Sequence, residues 1–385
     1  MNPADDRIAL VNGRVLTPEG WRDDYAVLIE HGRIAAVAPA GDARVHAMLQ
    51  HDLHGLMLAP GFIDTQVNGG GDVLFNDTPT LETLRTIAQA HRAFGTTGLL
   101  PTLISDDVDV MRAAIAAVDE AIAQGVPGIL GIHLEGPYLA PARKGVHDVT
   151  KFRVPDRVEV ELACSLRNGK TLITLAPDQV PPGVVREFVA RGAIVAVGHT
   201  AATYIQTRAA LDAGARGFTH LYNAMTPLGS REPGVVGAAL EDRASWCGLI
   251  VDGHHVHPAA LRIALAAKPR GKNFLVTDAM PPVGGKKDSF RIRGETATAR
   301  DGLLATADGT LAGSVLDMAQ AVRNSVAWLG MSADEALRMA SAYPADFAGL
   351  EHSHGRIVPS YAADLVALDD ALQVKATWIA GKIAA

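Results

Sequence analysis

The chain has 385 residues, 48% of them hydrophobic and 20% charged, with 35 Lys plus Arg against 42 Asp plus Glu and a formal charge of -7. That is about 2.5 times a roughly 150-residue domain, which leaves open one large barrel with a satellite or two to three ordinary domains and excludes a disulfide miniprotein, a simple bundle and a mainly disordered chain. No basic block offers a surface for nucleic acid or an anionic membrane, although a few local donors can still hold an anionic small substrate.

The opening stretch MNPADDRIALVNG carries acids where a signal peptide needs a basic start and an apolar run. Apolar runs further along are about 5 to 8 residues long, short of the roughly 20 needed to cross a bilayer. Cys164 and Cys247 are far apart and without metal-knuckle spacing, so neither a disulfide framework nor a thiolate site is indicated. A cytoplasmic protein is expected. Residues 8–59 read as short strands with turns, among them 8–11, 27–30 and 34–38 around a His31-Gly32 turn.

From Pro60 the texture changes to apolar runs of strand length: 61–67, 97–102, 129–135, 171–176, 193–199, 217–221, 247–252 and 273–278. Helical stretches at 81–94, 107–124, 183–191, 203–213 and 258–267 separate most of them. Strands buried on both faces and joined by crossover helices require a mainly parallel sheet, and eight such units close a TIM-like (β/α)8 barrel. A doubly wound open sheet is the alternative. Against it, several runs end in Gln66 and Asn68, Glu135, His199, His220, Asp252 or Asp278, which a barrel gathers at one mouth and an open sheet spreads along an edge.

Residues 282–310 break the rhythm with Gly-rich turns and predict a β-hairpin insertion over that mouth; helices at 314–328 and 333–341 follow. Beyond Leu350 the strand-and-turn texture returns at 355–358, 363–368 and 374–379. The expected organisation is a small β-sandwich domain from 1–59 and 350–385, and a catalytic barrel over 60–349.

Glu135, His199 and His220, at the ends of strands three, five and six, are candidate metal ligands. One carboxylate and two neutral imidazoles suit one divalent ion, with Zn2+ favoured and Fe2+ the other first-row candidate. Taken singly, each is as well read as a strand cap or a hydrogen-bonded core residue; their shared position makes the ligand reading. Asp278, ending strand eight, is placed to take a proton from a nucleophilic water and return it to a leaving nitrogen.

The motifs HLEGPY, GHT, THLYNAM and VTDAM, with Gly253-His-His-Val and the string from Pro60 to Gly69, run in this order over nearly the whole chain. In these motifs the sequence resembles the amidohydrolase superfamily and, within it, the N-acetylglucosamine-6-phosphate deacetylases. The resemblance implies hydrolysis of the acetamido group of N-acetyl-D-glucosamine 6-phosphate. It assigns substrate contacts to His147, Arg231 and His255, to the backbone of Asn223 and Ala224, and to the acyl-side loop Leu311, Ala312, Gly313 and Ser314. His147 also carries a catalytic, carbonyl-orienting role. Where many members place His-x-His, this chain has Gln66 and Asn68, a vestigial second-metal region that favours one ion per subunit. A homodimer is implied, because related phosphate pockets borrow a group from a neighbouring subunit. Rival readings are deacetylation of N-acetylgalactosamine 6-phosphate or another N-acyl sugar, a cyclic-amide hydrolase, and an inactive barrel serving as an interaction scaffold.

Overall fold

A computed structural model describes residues 7–383. Residues 1–6 and 384–385, on which part of the N-terminal signal reading and the outer limits of the end domain fall, lie outside the described residues.

Eight parallel strands follow one another as Phe62–Val67, Thr96–Ile104, Gly131–Glu135, Lys170–Leu175, Ile194–Val197, Gly217–Phe218, Trp246–Leu249 and Asn273–Leu275, each hydrogen-bonded to the next. The first three are buried along their whole length, as strands covered by helices outside and side chains inside must be. A parallel bridge between Val67 and Ala279, with Asp278 N donating to Gln66 O at 3.0 Å, draws strand eight to strand one and nearly closes the barrel. Crossover helices start where the sequence supplies an N-cap: Thr80 before Leu81–Arg92, Asp156 before Arg157–Ala163, and Thr203, which forms a capping box with Gln206, before Tyr204–Asp212.

Some elements differ from the sequence expectation. Helices Arg157–Ala163 and Gly234–Glu241 were not anticipated: the first, RVEVELA, alternates like a strand, and the second carries two glycines. The insertion is a three-stranded antiparallel meander, Ser289–Ile292, Glu295–Arg300 and Leu303–Ala305, rather than a hairpin. The helix expected from 314 begins at Met318, because residues before it form a loop that bridges back to strand eight.

Both chain ends build one curled sheet in the order Lys382–Ile383, Val374–Ile379, Leu365–Leu368, Met57–Pro60, Arg7–Thr17, Gly20–Glu30 and Arg33–Pro39, with Leu49–Asp52 also paired to Arg7–Thr17. Leu10, Val27, Ile29, Leu58, Leu365 and Trp378 share its core. Strand Leu365–Leu368 joins the two parts: Leu365 and Ala367 face that core, while Val366 and Leu368 pack into the barrel's. No helix among the described residues is long and apolar enough to cross a membrane.

Candidate metal and hydrolytic centre

The strands that end in ionisable residues stop early, and the chain turns there in an uncommon way. His199, His220 and Asp278 have φ of 46°, 33° and 53°, the left-handed region that non-glycine residues rarely occupy. Each costs on the order of 1–3 kcal/mol and persists only where surrounding contacts fix it. The turns swing the three side chains inward over the barrel mouth, onto a cavity of about 290 Å³ also lined by Glu135.

Glu135 Oε1 lies 3.2 Å from His199 Nε2 and 2.9 Å from His220 Nε2, and the two nitrogens are 3.0 Å apart. A tetrahedral ion with bonds of about 2.0–2.1 Å needs ligand atoms about 3.3 Å apart, so a shift of a few tenths of an ångström would seat one. All three side chains are buried. His199 Nδ1 donates to Arg143 O at 2.8 Å, which leaves Nε2 with the lone pair a ligand requires. His220 Nδ1 is buried and has no hydrogen-bond partner among the described residues. The donor set and its spacing fit one divalent ion.

Gln66 and Asn68, from the end of strand one, point amide donors at the two carboxylates. Gln66 Nε2 reaches Glu135 Oε1 at 3.1 Å and Asp278 Oδ1 at 3.2 Å, and Asn68 Nδ2 reaches Asp278 Oδ1 at 2.6 Å. Burial and then the Glu135 charge raise the Asp278 carboxyl to about 6, against the opposing influence of His220, His255 and Asn68. Burial also acts to raise Glu135, but the adjoining His199 and His220 rings prevail and hold it well below the ordinary carboxylate range. Two carboxylates are thus driven apart in proton affinity, the arrangement that suits one to bind a cation and the other to exchange a proton.

Asn68, His147, Asn223, Ala224, His255, Leu311 and Gly313 share this cavity with the four residues above. Ala312 and Ser314 do not line it. Ala312 is packed with Met280, and Ser314 Oγ donates to Thr277 O at 2.5 Å, holding the loop from behind. A Cβ on Gly313 would come within 2.8 Å of Asp278 O at φ +68°, so only glycine lets this loop lie against strand eight. The Asn223 amide expected to face a phosphate donates instead to His220 O at 3.0 Å, whereas the Ala224 amide makes no hydrogen bond to another described residue. Arg231 is exposed on the loop at 226–233 and does not line the cavity of its own chain.

Asp252 was expected at the barrel mouth only as the end of an apolar run, without a role, and Ser105 and Thr310 were not expected at all. Asp252 accepts from His255 Nδ1 at 2.6 Å and from the amides of His254 and His255 at 2.9 Å each. Its pairing with His255 was not read from the sequence, although its position three residues before that histidine carried the signal, since an aspartate often caps its own following turn. Ser105, just beyond the end of strand two, contacts His147 Nδ1 at 2.9 Å and left no pattern in the sequence. Thr310, from the loop after the meander, adds a wall the sequence did not foretell.

The sequence matches the family described as Amidohydrolase family over residues 57–384. It is 45% identical to an N-acetylgalactosamine-6-phosphate deacetylase of Shewanella sp. (strain ANA-3), over 100% of this chain and 98% of that protein. Against an N-acetylgalactosamine-6-phosphate deacetylase of Escherichia coli O157:H7 the identity is 38%, over 96% and 97% of the two chains. The crystal structure of N-acetylglucosamine-6-phosphate deacetylase from Pasteurella multocida superposes with a TM-score of 0.94 at 35% identity, covering 98% of this chain and 99% of that one.

Proposed function

This chain belongs to the amidohydrolase family, and on that premise we propose that it hydrolyses the acetamido group of an N-acetylhexosamine 6-phosphate to acetate and the amino-sugar 6-phosphate. The observation that carries the reading is the convergence of Glu135 Oε1, His199 Nε2 and His220 Nε2 within 3.2 Å of one another on the cavity that Asp278 also lines. N-acetyl-D-glucosamine 6-phosphate is the substrate of the structural relative. Its galactosamine epimer is favoured by a separate observation, the higher identities of 45% and 38% to the two galactosamine enzymes.

Glu135, His199 and His220 would hold one ion, for which zinc is the better fit and iron(II) the alternative. When bound, it supplies Lewis-acid polarisation of the amide carbonyl and acidifies a neighbouring water. Asp278 takes a proton from the attacking water and delivers it to the leaving nitrogen as the C–N bond breaks, so that water is added across the amide. Gln66 and Asn68 hold the Asp278 carboxylate in place. His147 directs a donor at the acyl oxygen, and the loop at Leu311 and Gly313 closes the acyl side.

His255 and the Ala224 amide are the donors on this chain for the phosphate. Arg231, which does not line its own cavity, is supplied in this reading by a second copy, in line with a homodimer. The two domains are taken as the end sheet, 1–59 with 350–385, and the barrel, 60–349. A cytoplasmic setting agrees with the unpaired Cys164 and Cys247.

The test incubates purified protein with N-acetylglucosamine 6-phosphate, N-acetylgalactosamine 6-phosphate and both unphosphorylated sugars, with and without chelator, while acetate and bound metal are measured. Phosphate-dependent, chelator-sensitive release supports the reading, and the ratio of the two phosphorylated rates assigns the epimer. Equal rates on phosphorylated and free sugars would remove His255 and Arg231 from the phosphate, and no acetate from any of them would sink the deacetylase reading.

A further inference from the structure

Two histidines stand edge to face beside the cavity, His147 and His199, with ring centroids 4.5 Å apart. Their Nδ1 atoms meet opposite partners. His199 Nδ1 faces the carbonyl of Arg143, an acceptor, and must carry the proton. His147 Nδ1 faces the amide N–H of Ser105 at 3.3 Å and the Ser105 hydroxyl at 2.9 Å. A main-chain N–H can only donate, so Nδ1 of His147 holds a lone pair and the ring is neutral with its proton on Nε2.

From this contrast we infer that Ser105 is a positioning residue that fixes His147 as the Nε2–H tautomer, so that this ring donates a hydrogen bond into the cavity and does not join His199 and His220 as a ligand. Ser105 and His147 are both buried, with 6% and 2% of their surface exposed, so water does not compete for Nδ1. The ring backbone is held as well: His147 N donates to Lys144 O at 2.9 Å, and Arg293 from the meander donates to His147 O at 2.5 Å. Among the described residues Nε2 has no hydrogen-bond partner, although His147 lines the cavity. An Nε2–H there meets an oxygen acceptor, and naming that acceptor as the acyl carbonyl rests on the deacetylase reading. The same imidazole chemistry thus serves two purposes side by side, selected by whether Nδ1 meets a carbonyl or an N–H.

Nitrogen-15 NMR of the full chain labelled at histidine reads the tautomer directly, with His147→Gln identifying the signal. The wild type should show His147 protonated at Nε2. Ser105→Ala removes the shorter 2.9 Å hydroxyl contact and leaves Nδ1 only the 3.3 Å amide, so the signal should move part of the way toward a tautomer mixture, and Ser105→Thr should restore it. In steady-state kinetics Ser105→Ala should lower kcat about tenfold, the scale of one lost buried hydrogen bond, with KM within about twofold. In the His147→Gln background the same change should alter kcat less than about twofold, because the residue it acts through is gone. A wild-type ring protonated at Nδ1, or equal losses in the two backgrounds, would overturn the assignment. Should no sugar phosphate be deacetylated by the wild type, the functional reading fails while the NMR result still decides the role of Ser105.

Discussion

Asp278 and Asp252 do different work with the same functional group, and their amide variants should separate them. Asp278→Asn keeps the shape and removes the proton acceptor, so kcat should fall about 10²- to 10⁴-fold while bound metal, measured by elemental analysis, stays unchanged. Loss of metal along with the rate would assign Asp278 to ion binding instead. Asp252→Asn takes the charge away from His255 Nδ1, which it meets at 2.6 Å. KM for the phosphorylated sugar should rise about tenfold with little change in kcat, and the free sugar should be turned over as before. A fall in kcat on both sugars would place His255 at the reacting group. Much of this cluster was legible because Glu135, His199, His220 and Asp278 each end an apolar run, a pattern that survives in one dimension. Ser105 was not, since its contact is a direction of hydrogen bonding at a strand end, and a lone serine carries no spacing. Arg231 was legible only by resemblance, and its exposure shows why: no other described residue holds it by a hydrogen bond or ion pair.

At the level of elements, helix Leu81–Arg92 sends His91 inward, where Nε2 donates to Gly69 O at 2.9 Å behind the loop that follows strand one. Burial lowers this imidazole to about 4, against a smaller raising influence of the Gly69 bond. The unfolded ring takes up a proton near 6.5, so the folded state is at full advantage above that pH and loses it as the pH falls toward 4, at about 1.4 kcal/mol per unit. His91→Gln keeps a donor for Gly69, and urea midpoints measured at pH 7 and pH 5 should differ less in the variant than in the wild type, by about 2 kcal/mol. An unchanged difference would mean that other groups set the acid limit. The meander is a second case. Arg293 Nη1 donates to Val146 O at 2.7 Å and to His147 O, tying the insertion to the cavity wall. Arg293→Ala should lower kcat/KM about three- to tenfold while thermal unfolding shifts little, because the contact orders a wall and not the core. Its middle strand, ETATAR, was missed since it alternates small and polar residues with little apolar signal; the barrel strands, buried on both faces, announced themselves by the reverse property.

Over the whole molecule, the eight-unit barrel was visible because each strand is a short apolar run and each long helix is amphipathic, while closure by the Val67–Ala279 bridge and the curl of the end sheet depend on pairings across more than two hundred residues. Strand Leu365–Leu368 contributes side chains to both cores, so the end sheet and barrel should melt as one. Calorimetry of the metal-loaded chain should give a single transition that chelator moves downward, since an ion present at 100 times its Kd stabilises by about 2.7 kcal/mol. Two transitions, only one of them sensitive to chelator, would show that the shared strand does not couple the parts. The left-handed backbone at His199, His220 and Asp278 has a further bearing on how such a sequence changes over generations. Asparagine and glycine suit that conformation better, and at Asp278 they would also remove a charge from a dry setting. Heat tolerance and turnover therefore select for different residues at the same three positions. A laboratory lineage chosen only for surviving high temperature should lose its chemistry here first, and a gene no longer under selection for activity should drift at this rim ahead of the rest of the barrel.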